Sequence, residues 1–345
     1  MTNNVDLRSD TVTLPTPAMR EAMAKAELGD DVFGEDPTTV QLEQKVAALL
    51  GKEVGLLVPS GTMANLIAVL THCGRGDEVI LGNRSHTFLY EAGGIAALGS
   101  VHPNALPNNE DGTLNLQGMA SAIRTDNVHF PRTRLICLEN TQNQCGGRVL
   151  RPEYMTKAKQ LADAHGLKIH LDGARLLNAA VALGVSAETL AMEVDSVSIC
   201  LSKGLAAPVG SVLAGKATFI HEARRARKLL GGGMRQCGII ASGGIVALDE
   251  MVERLSDDHT LAQNLAEGIS QINGLSIRPE HVETNIVFFE VTHDHITASQ
   301  IASELGKLGI QILALGPNRL RAVTHFGIKQ QDITQTLTGL KKVMI

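Results

Sequence analysis

The chain has 345 residues, 44% of them hydrophobic and 19% charged, with a formal net charge of −5 and basic residues scattered rather than in runs. That length suits one large domain plus a smaller one, and that charge pattern argues against nucleic acid or an anionic membrane as the main partner. Five cysteines without a C-x-x-C pair suggest neither a disulfide framework nor a zinc site. The N-terminus lacks a signal peptide's apolar stretch and no apolar run approaches the ~20 residues of a membrane span, so the chain reads as cytoplasmic.

In chain order, residues 37–51 read as a helix whose apolar side is Val40, Leu42, Val46, Leu49 and Leu50, ended by Gly51. Strands are predicted at 54–58, 78–81, 134–138, 167–171 and 196–201, with helical stretches between them. Short apolar strands alternating with helices imply an α/β domain with a mostly parallel sheet covered on both faces. The rhythm changes after about residue 250. Helical patterns over 238–268 give way to a strand at 285–291, a helix at 299–307, short strands at 310–314 and 320–324, and a last helix. The expected division is a large domain over 1–250 and a small C-terminal α+β domain over 251–345.

Three local features carry chemistry. Gly55-Leu-Leu-Val-Pro-Ser-Gly-Thr reads strand, tight turn, helix, with Ser60, Gly61 and Thr62 at the helix N-terminus. Backbone N–H groups and the helix dipole there favour a phosphate, although Ser and Thr also cap helices that bind nothing. Neither a P-loop nor a G-x-G-x-x-G fingerprint is present, which counts against a nicotinamide dehydrogenase. Asp172, in Lys168-Ile-His-Leu-Asp-Gly-Ala-Arg, falls at a strand end, where ligand groups gather in open parallel sheets. It can hold the proton of a pyridine nitrogen, and Arg175 can face the same cleft and bind a carboxylate; a local Asp172–Arg175 ion pair is the plainer alternative. Lys203 is the only charged residue in the twenty from Ser196 to Gly215. A desolvated amine loses its proton more easily, and the neutral amine is the form that condenses with an aldehyde. The plainer alternative is a lysine reaching solvent from a strand end.

A phosphate turn, a carboxylate and an aldehyde-condensing lysine, in this order and rough spacing, resemble the fold-type-I, aspartate-aminotransferase-like enzymes of pyridoxal 5'-phosphate (PLP). Local strings narrow the resemblance: Asp6-Leu-Arg-Ser-Asp-Thr-Val-Thr, Gly29-Asp-Asp-Val-Phe-Gly-Glu-Asp-Pro, Pro59-Ser-Gly-Thr-Met-Ala-Asn, Leu171-Asp-Gly-Ala-Arg, Cys200-Leu-Ser-Lys-Gly-Leu, Gly231-Gly-Gly-Met-Arg-Gln and Val323-Thr-His. Together, over about residues 5–325, they are similar to the low-specificity L-threonine aldolases, which cleave L-threonine, L-allo-threonine and related β-hydroxy amino acids to glycine and an aldehyde.

The resemblance implies roles. Lys203 forms the Schiff base with PLP, Asp172 holds the pyridinium proton, and His86 stacks on the ring. Gly61, Thr62 and Ser202 match phosphate contacts. Lys228 and Arg235 match phosphate contacts supplied by a neighbouring subunit, in a family usually built as homotetramers, dimers of dimers. Ser9, Arg175 and Arg321 would clamp the substrate carboxylate, and that orientation selects the Cα–Cβ bond for cleavage. His86, His129 or a water between them is the base for the β-hydroxyl proton; from the sequence alone His129 reads equally well as a surface loop residue.

Departures are visible. Gln142 stands where the family often has His, Phe33 where relatives carry Tyr, and Gln144-Cys-Gly-Gly lengthens a loop. Tyr90, one turn after His86, is placed to shape the aldehyde side. His293-Asp-His295 looks superficially like a metal cluster but reads as a solvated loop, and no metal ligand is assigned. The rival readings are another fold-type-I lyase, β-eliminating or serine hydroxymethyltransferase-like, and a PLP-binding scaffold without turnover. Retention of Lys203, Asp172, Arg175 and Arg321 disfavours the scaffold.

Overall fold

The computed structural model describes residues 4–293 and 295–345. Of the loop His293-Asp-His295, Asp294 lies outside the described residues.

The centre is a seven-stranded sheet in the spatial order Val54–Val58, Ser211–Gly215, Ser196–Cys200, Lys168–Gly173, Thr133–Glu139, Glu78–Gly82, His102–Leu106. Ser211–Gly215 runs antiparallel to both its neighbours, and the other pairs are parallel. Its direction follows from its connection. Only ten residues, without a helix, separate Cys200 from Ser211. A parallel return needs a crossover of a dozen or more residues, usually helical, so the chain folds straight back.

The predicted α/β class and mostly parallel sheet are therefore observed, with the five expected strands in place. Two strands of this sheet were not anticipated. His102–Leu106 is a half-exposed edge strand containing Pro103, a residue that edges tolerate and central strands do not. Ser211–Gly215 is fully buried but short and glycine-bounded.

A second core lies beside a four-stranded antiparallel sheet ordered Leu313–Ala314, Arg319–Val323, Ile286–Val291, Leu275–Ser276. The N-terminal segment joins it: Val5–Asp6 pairs in parallel with Ile310–Gln311, and Val5 and Leu7 are buried with Leu265, Phe289 and Leu320. Helix Leu255–Ile269 links the cores, with Leu255 in the first and Ala262, Leu265 and Ile269 in the second.

Helix Gly61–His72 is the element that most directly places the site. Ser60 caps it, accepting from the Met63 N–H at 3.2 Å. Ala64, Ile67 and Ala68 pack against Leu56, Val58 and Leu213, while Leu66 and Val69 pack against Val79, Leu81 and Leu135. Clamped on both flanks, the helix delivers Asn65 to the sheet and its own first turn to the ends of the strands.

Candidate active site

The parallel register sets functional groups side by side. Glu139 pairs with Asp172 at the C-terminal ends of their strands, and Asp172 pairs with Ser198 in the middle of the next strand. Above them is a cavity of about 210 Å³ lined by residues that include Gly61, Thr62, His86, Asp172, Ser202 and Lys203. Arg175, Glu139 and Asn143 also line it.

Lys203 sits half-buried in the loop after the Ser196–Cys200 strand. Its carbonyl accepts from Thr13 Oγ1 and from the Ala206 N–H, both at 2.9 Å. The turn that presents the amine is thus fixed by the N-terminal segment. At the N-terminus of helix Gly61–His72, a Cβ added to Gly61 would meet only Ser211 Oγ, at 3.6 Å, so protein packing does not require the glycine. Ser211 Oγ is buried without a hydrogen-bond partner.

Asp172 does not pair with Arg175, the plainer alternative. It accepts from Asn65 Nδ2 at 2.8 Å and from the Ala174 N–H at 3.0 Å. The same Asn65 nitrogen donates to Glu91 Oε1 at 2.8 Å, and Glu91 Oε1 lies 2.9 Å from His86 Nδ1. The hydrogen bond to Glu91 raises the pKa of His86, and burial raises that of Glu91, so the pair holds a proton more tightly than either group alone. Glu139 accepts from the His86 N–H at 2.7 Å and the Asn143 N–H at 2.9 Å; burial first, then nearby Asp172, push its carboxyl up to about 7. His86, Glu91 and Asp172 carry atoms within 4.8 Å of one another that are chemically able to ligate a metal. Those atoms are engaged with one another and with Asn65.

Arg175 instead forms a two-pronged pair with Asp10, 165 residues away: Nε to Oδ2 at 2.6 Å and Nη2 to Oδ1 at 2.7 Å. Both partners are buried, and Asn285 Nδ2 adds a bond to Asp10 at 3.2 Å. Planar fork against planar carboxylate fixes the guanidinium's orientation. Arg321 donates from Nη2 to the Arg8 carbonyl at 3.0 Å, and its buried Nε has no partner. Burial, with Arg175 next, lowers the Arg321 pKa. Ser9 Oγ accepts from the Thr11 N–H at 3.2 Å, in the same short segment as Asp10.

Ser9 and Arg321 are not among the residues that line the cavity, and neither are the remaining predicted residues. His129 lies in an exposed turn where its N–H donates to Asn127 Oδ1 at 2.9 Å. Lys228 and Arg235 are exposed around Gly231–Gly233, and Arg235 Nη1 pairs with Asp30 at 2.8 Å. Phe33 is 74% exposed and does not line the cavity. Tyr90 lies against His86, with ring centroids 5.6 Å apart. Gln142 serves the lengthened loop: Nε2 donates to the Arg84 carbonyl at 2.9 Å and Oε1 accepts from the Cys145 N–H at 2.8 Å.

Sequence reasoning missed Asp10, Asn65, Glu91 and Glu139 as site groups. Asn65 had a usable signal: it lies four residues after Gly61, one helical turn along the same face. Glu139 sits at a predicted strand end, as Asp172 does. Asp10 stands within the quoted string from Asp6 to Thr13, but nothing there marks its partner Arg175, and Glu91, just after the short helix His86–Leu89, had no signal.

The beta-eliminating lyase family matches residues 6–309. The low-specificity L-threonine aldolase 1 of Arabidopsis thaliana is 48% identical over 346 residues, covering 99% of this chain and 97% of that one. The low specificity L-threonine aldolase of Escherichia coli K12 is 44% identical over 331 residues, covering 96% of each. The threonine aldolase structure from Leishmania major superposes with a TM-score of 0.84 at 20% identity, covering 99% of this chain and 100% of that one. Sequence identity of this extent along nearly the whole chain, on this fold, means that the protein belongs to the low-specificity L-threonine aldolase family of beta-eliminating lyases.

Proposed function

We propose that the chain is a PLP-dependent aldolase that breaks the Cα–Cβ bond of L-threonine, L-allo-threonine and related β-hydroxy-α-amino acids, releasing glycine and an aldehyde. The observation that carries this reading is the single cavity joining Lys203, Asp172 and the N-terminus of helix Gly61–His72.

The donor set fits the cofactor. An amine suits its aldehyde, a carboxylate suits its ring nitrogen, and a helix N-terminus suits its phosphate. Gly61, which packing leaves free, and the unpartnered Ser211 hydroxyl beside it support an anion at that end. When bound, PLP supplies the electron-withdrawing ring that accepts the charge left at Cα.

The chain's own groups do the rest. Lys203 provides the amine. Asp172 holds a proton at the ring nitrogen, and Gly61, Thr62 and Ser202 hold the phosphate. Arg175, fixed by Asp10, joins Arg321 and Ser9 in holding the substrate carboxylate, which orients the bond to be broken. His86 is the imidazole at the cavity; with Nδ1 on Glu91, its Nε2 is the nitrogen left for the β-hydroxyl proton, directly or through a water. His129, exposed on its own chain, reaches a cavity only across a subunit contact, as Lys228 and Arg235 do in the homotetramer we propose. The cellular setting proposed is the cytoplasm; among the described residues no helix is long and apolar enough to cross a membrane.

The test is Lys203→Ala. The wild type should show a borohydride-sensitive visible band with PLP and release acetaldehyde and glycine from L-threonine. The variant should lose both band and turnover. Retained steady-state turnover would overturn the role of Lys203, and a keto acid with ammonia in place of glycine would move the chemistry to β-elimination.

A further inference from the structure

Behind Asp172 a chain of buried polar groups leads away from the cavity. Asn65 Nδ2 donates to Asp172 and to Glu91, each at 2.8 Å. Asn65 Oδ1 lies 3.1 Å from His170 Nε2 and accepts from Ser198 Oγ at 3.2 Å. His170 Nδ1 lies 2.9 Å from Ser196 Oγ, and that hydroxyl lies 2.8 Å from His72 Nε2. Asn65, His170, Ser196 and Ser198 are all at most 2% exposed, so water does not relieve a wrong choice of proton.

The directions of these bonds can be worked out. A side-chain amide donates only from nitrogen and accepts only at oxygen. Two carboxylates claim both N–H bonds of Asn65, which leaves Oδ1 to accept. His170 must therefore carry a proton on Nε2. Burial holds His170 down to about 4 and His72 down to about 3, so both imidazoles are neutral near pH 7. A neutral imidazole has one N–H, so His170 Nδ1 accepts from the Ser196 hydroxyl. That hydroxyl, having donated, accepts from His72 Nε2–H. Every donor in the chain points toward Asp172 and Glu91, and aligned bonds of this kind polarise one another. The reverse alignment would turn the Asn65 oxygen onto both carboxylates and require a proton on each.

We propose that Asn65 and His170 are positioning residues that hold Asp172 and Glu91 as a pair of oriented acceptors, one for the cofactor's ring nitrogen and one for His86, through a single tautomer chain beginning at His72. The inference rests on the proposed role of Asp172 and extends it through Asn65, at the cavity wall, to His170, which does not line the cavity.

Two measurements test it. The first is long-range ¹H–¹⁵N NMR of histidine-labelled protein, with and without PLP. It should show His170 and His72 as Nε2–H tautomers that do not titrate between pH 8 and 5.5. A proton on Nδ1 of His170, or protonation of His170 in that range, overturns the proposal whether or not cofactor binds. The second measures PLP dissociation from His170→Gln, whose amide restores a donor near the Nε2 position, and from His170→Leu, which cannot. Removing a hydrogen bond relayed to charged groups should weaken cofactor binding about tenfold in the Leu variant and shift the pH midpoint of its visible band. The Gln variant should stay within about threefold of wild type, on the same reasoning. A folded Leu variant with wild-type affinity and band overturns the proposal. If the wild type shows the stated tautomers but binds no PLP, the role of Asp172 fails, and with it the cofactor half of the inference.

Discussion

Asp10 and Arg175 illustrate how one buried charge is made available by another. Arg175 is 7% exposed and faces the cavity, where an uncompensated guanidinium would be expensive. Asp10, with no exposed surface, occupies the Nε–Nη2 edge of the fork, so the remaining Nη1 is the part free to meet a ligand. Arg175 holds the Asp10 carboxyl well below the ordinary carboxylate range against the opposing effect of burial. Asp10→Asn leaves the guanidinium buried without its counter-charge and should cost about 3–5 kcal/mol at pH 7, read from the urea midpoint. The sign with pH is fixed. A carboxyl depressed in the folded state contributes its full stability above its unfolded value, about 3.9, and loses it as pH falls toward the folded value. The wild-type advantage over Asp10→Asn should therefore be flat from about pH 8 to 5 and narrow below about pH 4. An unchanged midpoint at pH 7 would mean that something other than this ion pair holds Arg175.

The strand that carries Asp172 and the strand that leads into the Lys203 loop are neighbours, and their separation is held at one point by a missing side chain. A Cβ on Gly173 would lie 2.5 Å from the Ser198 carbonyl and 3.1 Å from Leu176 Cβ. The first contact is backbone in the adjacent strand, so it cannot be relieved by a rotamer change. Gly173→Ala should force the Lys168–Gly173 strand away from Ser196–Cys200. The cost should be about 1–3 kcal/mol of stability, with weaker PLP binding in the folded fraction. Equilibrium unfolding and cofactor titration check the two effects; wild-type values in both would show that the strands shift without consequence.

The same two strands show what the sequence could reveal. Val197-Ser-Ile-Cys-Leu announces an internal strand by its apolar run, and the lone charge after it marks Lys203. Asp172 is legible by the same rule, as a polar residue ending an apolar strand. His170 is not, because two residues before Asp172 it reads as an interior strand residue. Its partner Ser196 is set by sheet register, and its partner Asn65 by the seating of a helix. Register and seating are tertiary facts that local periodicity does not encode. His102–Leu106 was missed for the opposite reason: as an edge strand with Pro103 and half-exposed side chains, it lacks the apolar run that marks buried strands.

At the scale of the whole molecule, the residues that the family resemblance assigns to phosphate binding, Lys228 and Arg235, stand apart from the cavity that holds Lys203. They are exposed, and the surface near them carries large apolar groups: Leu229 is 80% exposed and Phe33 is 74% exposed. Apolar side chains this open, beside basic groups with a proposed ligand but no cavity of their own, fit a surface covered by a second copy. If each cavity takes Lys203 from one chain and Arg235 from another, the two defects must complement. Lys203→Ala and Arg235→Ala homo-oligomers should each be severely impaired. A hybrid dimer of the two variants contains one site with both defects and one with neither, so random re-association should restore roughly a quarter of the wild-type sites. Activity and the borohydride-sensitive band should both recover after unfolding and refolding the variants together, but not after mixing them folded and unexchanged. No recovery in verified hybrids would place Lys203 and Arg235 in the service of the same chain's cavity and remove the subunit contact from the site.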